Sequence, residues 1–270
     1  MKKAVNVYFY NADTKEKLDA IKNAGYDGVL LSTHTAPETM TIQQQLSYCE
    51  KIGLEVSMVH CQYDPSKLDY FWNEHSEIAD EITNDYISQI ESISGKNVEN
   101  FVIHLSGFEP GKTSKFGLER IKKILEICKK NNIKLCIENL EYPKQTDYIF
   151  KNISHDNLYF CYDSGHKNCF SPNSKIAHKY SSILSATHIH DNFGLHDDHL
   201  ILGLGTTKIK TLAREIYKSN CRFLSAEIKY KNSGSPMSEI LEQNLNALNI
   251  LDSEIKKLRE KNNNKNIMQN

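Results

Sequence analysis

A chain of 270 residues, 39% hydrophobic and 25% charged, has the composition of a globular protein large enough to bury a sizeable core. Its formal net charge of −1 supplies no overall basic field for nucleic acid, and no apolar run approaches the ~18 residues that span a bilayer. Seven cysteines without a Cys-x-x-Cys pair, several inside apolar runs, and no charged-then-apolar leader before Val5 read as reduced thiols in a cytoplasmic protein.

Val5 to Phe9 reads as a first short strand, and Thr14 opens a helix that stops at Ala24-Gly25. A second strand, Asp27 to Ser32, precedes a helix from about Glu38 to Ile52. The third strand, Leu54 to His60, leads into a long helical region from about Leu68 to Ser94. Glu99 to Leu105 is the fourth strand, with a helix from about Lys115 to Asn131. Ile133 to Asn139 is the fifth, with a helix near Thr146 to Asn152. Leu158 to Asp163 is the sixth, with a helix near Ser174 to Tyr180. Leu184 to His190 is the seventh, with a helix from Thr207 to Ser219. Arg222 to Ile228 is the eighth, and a last helix runs from about Ser238 to Glu260. Eight alternations with continuously apolar strands predict parallel strands covered on both faces, a single (β/α)8 TIM barrel over residues 1–260. The polar tail, Lys261 to Asn270, is expected to be frayed and disordered. The long final helix is available for a homo-oligomer interface.

The densest chemistry lies between Leu184 and Gly205, where His188, His190, His196 and His199 stand among Asp191, Asp197 and Asp198, followed by the turn Leu202-Gly203-Leu204-Gly205. Imidazole and carboxylate are the ligands that borderline divalent metals take. Matching residues end the other strands: His60, His104, Glu138, Asp163 with His166 three residues on, and Glu227. In a barrel these strand ends meet at one mouth, where active sites form. A lone strand-end His or Asp is commonly structural, but six consecutive strands ending this way point to a metal site. Burying Glu138, Asp163 and Glu227 together is costly unless a cation compensates.

These residues, with the stretches IENL, DSGH, HIHDN and DDHLILGLG, make the chain resemble the xylose-isomerase-like TIM-barrel superfamily over nearly its whole length. That superfamily holds sugar isomerases and epimerases together with endonuclease IV. The resemblance to the epimerases implies one divalent ion, Mn, Zn or Co, on Glu138, Asp163, His188 and Glu227. The endonuclease IV pattern implies up to three Zn, adding His60, His104, His166, Asp197 and His199. The epimerase reading is an enzyme of carbohydrate metabolism acting on a small-molecule sugar or sugar phosphate, by proton transfer through an enediolate. Glu138 and Glu227 then move the proton and His166 bonds the substrate. His60, His104, Trp72 and Lys229 are candidate sugar contacts. A phosphodiesterase for abasic DNA must also grip the duplex backbone, yet none of the four arginines falls in a predicted loop at the catalytic face. The sugar reading is therefore preferred, with no membrane partner. A barrel that binds a sugar or metal without turnover, and a hydrolase or dehydratase on the same site, are the remaining alternatives. The family turn often carries an acidic residue where this chain has Leu204.

Overall fold

The computed structural model describes residues 1–34, 39–74, 76–108, 111–230 and 234–267. Its strands are β1 (Lys2–Asn6), β2 (Gly28–Ser32), β3 (Glu55–His60), β4 (Asn100–Ile103), β5 (Lys134–Glu138), β6 (Leu158–Asp163), β7 (Leu184–His188) and β8 (Phe223–Ala226). All neighbours pair in parallel, and β8 pairs with β1. The remaining seam, between β7 and β8, is held by a single bridge from Ile189 to Ala226. Beside it the Thr187 hydroxyl donates to the Phe223 carbonyl at 3.3 Å and accepts from the Ser225 N–H at 3.1 Å. The sheet thus rolls into the expected eight-stranded barrel.

Around it lie α1 (Thr14–Asn23), α2 (Ile42–Ile52), α3 (Pro65–Leu68), α4 (Glu77–Ser92), α5 (Lys115–Lys130), α6 (Pro143–Asn152), α7 (Ser164–Phe170), α8 (Ile176–Lys179), α9 (Ile209–Ile216) and α10 (Met237–Ile267). Their starts are written locally. Asp13, Ser76 and Ser114 accept backbone N–H groups as N-caps, and Thr41 with Gln44 forms a capping box. Among the described residues no helix is long and apolar enough to cross a membrane.

Strand alternation positions the site. Leu30, Met58, Val102, Cys136, Cys161 and Ala186 form an apolar cluster inside the barrel, separate from the larger core between sheet and helices. Two residues further along each chain segment stand Ser32, His60, His104, Glu138, Asp163 and His188, which therefore face the same interior one layer nearer the mouth. At the opposite end, Arg222 bridges Glu55 and Glu99, while Lys2 pairs with Glu55 and Lys134 with Glu99. That face closes with three basic groups on two carboxylates.

Several strands end two or three residues earlier than expected, β1 at Asn6, β4 at Ile103, β7 at His188 and β8 at Ala226, and four larger differences stand out. β1 begins at Lys2, because Lys2 and Lys3 pair with Phe223 and Leu224 although their side chains look unlike a strand's. The region after β3 is broken into α3, a 3₁₀ turn at Asp69–Trp72 and α4. A helix, α7, starts directly at the end of β6, ahead of the one expected near Ser174. The last helix continues beyond Glu260 to Ile267, while 268–270 and the expected helix start at Glu38 fall outside the described residues.

Candidate metal centre

The nine candidate ligands named from the sequence gather at the barrel mouth, at a cavity of about 440 Å³ lined in part by His60, His104, Glu138, His166, His199 and Glu227. Hollows of similar or larger volume, about 450 Å³ beside Gly53 and about 690 Å³ over Tyr48, lie away from the strand carboxyl ends and are lined by no histidine.

The centre of the cluster is His188. Its Nδ1 lies 3.2 Å from Glu138, 3.6 Å from Asp163 and 3.3 Å from Glu227. One nitrogen donates one proton, so it cannot satisfy three carboxylates, and neither ring nitrogen has a hydrogen bond of acceptable geometry. Glu138 Oε1, His190 Nδ1 and Asp197 Oδ1 are likewise buried without a hydrogen-bond partner. Adjacent ligand atoms on a tetrahedral ion with bonds of about 2.0–2.2 Å stand about 3.3–3.6 Å apart. The spacings around His188 Nδ1 match that shell, so the donor set fits a divalent cation.

Second partners fix the ring orientations. Nδ1 of His60 faces the Cys61 carbonyl at 2.9 Å, that of His166 the Asn139 carbonyl at 3.1 Å, and that of His199 the Glu227 carbonyl at 2.9 Å. A carbonyl only accepts, so each Nδ1 carries the proton and each Nε2 is left for the cavity. There His60 Nε2 meets His104 Nε2 at 3.2 Å, His166 Nε2 lies 3.5 Å from Asp197, and His199 Nε2 lies 2.7 Å from Asp197. His104 Nε2 reaches Glu138 at 2.9 Å. Asn139 bonds the Asp163 backbone in both directions, and Asn6 does the same for Ile228, tying neighbouring strand ends together.

The electrostatics are those of opposed charges out of water. Burial raises the Glu138, Asp163, Asp197 and Glu227 carboxyls, but facing imidazoles outweigh it and hold all four low, Glu227 at about 2. Burial lowers the imidazoles, yet Cys161 with Glu138 and Glu227 raises His188, and Asp163 with Asp197 and Glu138 raises His166, well above the usual histidine value, while Cys61 with Glu138 raises His60 to about 10. His104 instead moves down, because its burial dominates. Rings raised in this way hold a proton more tightly than a free histidine does. A bound cation must displace protons from them, so affinity rises with pH. Calorimetric titration at pH 7 in buffers of different ionisation enthalpy is expected to show release of about one proton or more per ion. Binding without proton release contradicts this electrostatic picture.

Two side chains, His190 and Tyr8, acquire roles that the sequence did not assign. His190, fully buried, places Nε2 3.0 Å from Asp163 and stacks on His199 at 4.2 Å; its spacing of two from His188 is the signal for it. Tyr8 donates to Glu227 Oε1 at 2.7 Å, and burial keeps its hydroxyl protonated. His166 enters because Asp163, besides facing the centre, caps α7 by accepting the His166 N–H at 2.7 Å. Lys229 is exposed on the cavity wall.

Asp191 stands outside the cluster and organises the glycine turn. Its carboxylate accepts backbone N–H groups of Asn192, Gly203, Gly205 and Thr207 at 2.9–3.0 Å. A Cβ on Gly205 would lie 2.3 Å from the Asn192 carbonyl oxygen, which explains the glycine. Leu204 is 53% exposed on this turn, and His196 is also exposed. His199 adopts φ of 52°, a left-handed conformation uncommon for a non-glycine residue.

The expected sugar contact at Trp72 is corrected. Trp72 is 3% exposed, donates its indole N–H to the Leu105 carbonyl at 2.7 Å and packs directly on Gly117 of α5. The 3₁₀ turn swings it into the wall, and the aromatic ring at the mouth is Tyr63, 36% exposed and 4.3 Å from the His104 ring. Trp72→Ala is accordingly expected to cost about 3–5 kcal/mol in urea unfolding while leaving metal content unchanged.

Three of the four arginines are engaged elsewhere, and the fourth, Arg214, is exposed on α9. Arg120 donates to the Phe71 and Asn73 carbonyls, Arg259 to those of Tyr217 and Ser219, and Arg222 joins the charge network at the far end.

Comparison with known proteins follows this geometry. A stretch of 102 residues is 32% identical to uncharacterized protein y4fM of Sinorhizobium fredii (strain NBRC 101917 / NGR234), covering 35% of this chain and 33% of that protein. Among solved structures, a D-tagatose 3-epimerase-like protein superposes with a TM-score of 0.74 at 19% identity, over 97% of this chain and 99% of the other. D-psicose 3-epimerase from Clostridium cellulolyticum H10 gives 0.77 at 13%, over 94% and 99%. The E. coli 3-keto-D-glucoside 4-epimerase gives 0.68 at 16%, over 93% and 98%. At these identities the likeness concerns the fold. The xylose isomerase-like TIM barrel family model matches residues 18–259, and the chain belongs to that family.

Proposed function

We propose that this protein is a divalent-metal-dependent sugar isomerase or epimerase, moving a proton on the carbon next to a substrate carbonyl. The observation that carries this reading is the convergence of Glu138, Asp163 and Glu227 on His188 Nδ1 at 3.2–3.6 Å, with buried atoms left unpartnered. Glu138, Asp163, His188 and Glu227 are the residues that would hold the ion. When bound, a divalent ion polarises a carbonyl and acidifies the adjacent C–H. The two glutamates come from β5 and the end of β8, so one is placed to take a proton from the substrate carbon and the other to return one on passage through an enediolate. Tyr8 donates to Glu227 Oε1, while Oε2 is the oxygen that faces His188. His166, anchored through Asn139 and Asp163, is placed to donate to a substrate oxygen, and Tyr63 to lie against a sugar face. A cavity of about 440 Å³ suits a small molecule. The sugar epimerases among the similar folds are consistent with this class.

The group His166, Asp197 and His199 lends support to a second reading, a zinc phosphodiesterase with more than one ion. The committed arginines argue against a duplex substrate. Incubating the protein with a panel of free and phosphorylated ketoses in deuterium oxide tests the first reading. Deuterium appearing at the carbon beside the carbonyl, together with an epimer or aldose product, is expected. No exchange with any ketose, and cleavage of abasic-site DNA, would transfer the assignment to the second.

A further inference from the structure

Beneath the carboxylates lies a sulfur. Cys161 precedes Asp163 by two residues on β6, faces the same interior and pairs in register with Glu138 of β5. Its Sγ, a ring nitrogen of His188 and an oxygen of Glu138 all lie within 4.8 Å of one another. All three residues are buried, and Glu138 Oε1 and both His188 nitrogens lack hydrogen-bond partners.

We propose that Cys161 is a sulfur ligand to the ion held in this centre, making it a site for thiophilic divalent ions of the zinc, cobalt and cadmium kind rather than for magnesium or manganese. The inference rests on the reading of the centre as a metal site. Carboxylate and imidazole alone accept most first-row divalent ions, whereas a thiolate selects the softer ones. A metal–sulfur bond is about 2.3 Å long, so the three atoms, which stand within 4.8 Å of one another, would close further as the ion binds. Binding breaks the Cys161 S–H bond, forms the sulfur–metal bond and sends the proton to solvent, with no change of oxidation state.

The intact protein is stripped with a chelator, reloaded with cobalt(II) alone, and read both by elemental analysis and by absorption. Bound cobalt with a near-ultraviolet thiolate-to-cobalt charge-transfer band is expected, with the band lost in Cys161→Ser and kept in Cys61→Ser, the other thiol at the mouth. The ratio of zinc to magnesium affinity should fall about tenfold or more in Cys161→Ser, on the scale of losing a partner in a metal shell. Should that variant fail to fold, cadmium-113 resonance of the wild-type protein decides, since a sulfur ligand moves the shift out of the nitrogen–oxygen range. Bound cobalt without the band, a band that survives in Cys161→Ser, or a cadmium shift typical of nitrogen and oxygen ligands alone overturns the sulfur ligand while leaving the metal site standing. Absence of any bound cobalt overturns both.

Discussion

Glu138→Gln is expected to lower kcat/KM by about three orders of magnitude, within the range for a positioned acid–base group, while the barrel stays folded. Among the described residues, the carboxylate of Glu138 is the only one that faces four imidazoles. One oxygen lies 2.9 Å from His104 and 3.5 Å from His60, and the other 3.1 Å from His166 and 3.2 Å from His188. The amide keeps the volume but loses the negative charge, and it presents an N–H₂ donor to a site that needs an acceptor. Metal affinity should therefore fall by more than the ~10–100-fold that follows loss of an outer partner. Far-ultraviolet circular dichroism should stay at the wild-type level, because the strand and its neighbours are untouched. The substrate that exchanges deuterium serves as the assay. Turnover retained in this variant contradicts the role given to Glu138.

Gly165→Ala is expected to be the most damaging single methyl group in the molecule's active half. The added carbon would sit 1.9 Å from Cε1 and 2.3 Å from Nδ1 of His190. His190 has nowhere to go: it is fully buried, stacked on His199 and 3.0 Å from Asp163. Relief must come from moving α7, which drags Asp163 and His166 from the centre. Overpacking of this kind costs about 3 kcal/mol or more. Denaturant unfolding should show that loss, and elemental analysis should show depleted metal. Wild-type stability together with wild-type metal content would contradict the packing described around His190.

Both predictions draw on features that differ in how plainly the sequence displays them. The eight strands are legible because parallel strands covered on both faces are continuously apolar. The ligand residues are legible because a period of two carries them to one face at one end, as in Cys136 then Glu138, or Ala186 then His188. Trp72 is not legible in this way. Whether it reaches the mouth depends on a 3₁₀ turn and on the absence of a side chain at Gly117, forty-five residues downstream. α7 was concealed because Asp163 ends a strand and caps a helix at once, with no loop between them. Tyr8 and Tyr63 became site residues only once closure of β1 on β8 and the path after β3 were known. Leu204 departs from the family's acidic turn without disturbing the cluster, since Asp191 holds that turn through backbone N–H groups.

The most direct test of the central claim is the metal content of the protein purified under conditions that spare loosely held ions, by elemental mass spectrometry. The carboxylates gathered on His188 predict about one divalent ion per chain, released by Glu138→Gln. About three zinc ions per chain would favour the phosphodiesterase reading instead. No bound metal, and none taken up when divalent ions are added, would contradict the account at its centre.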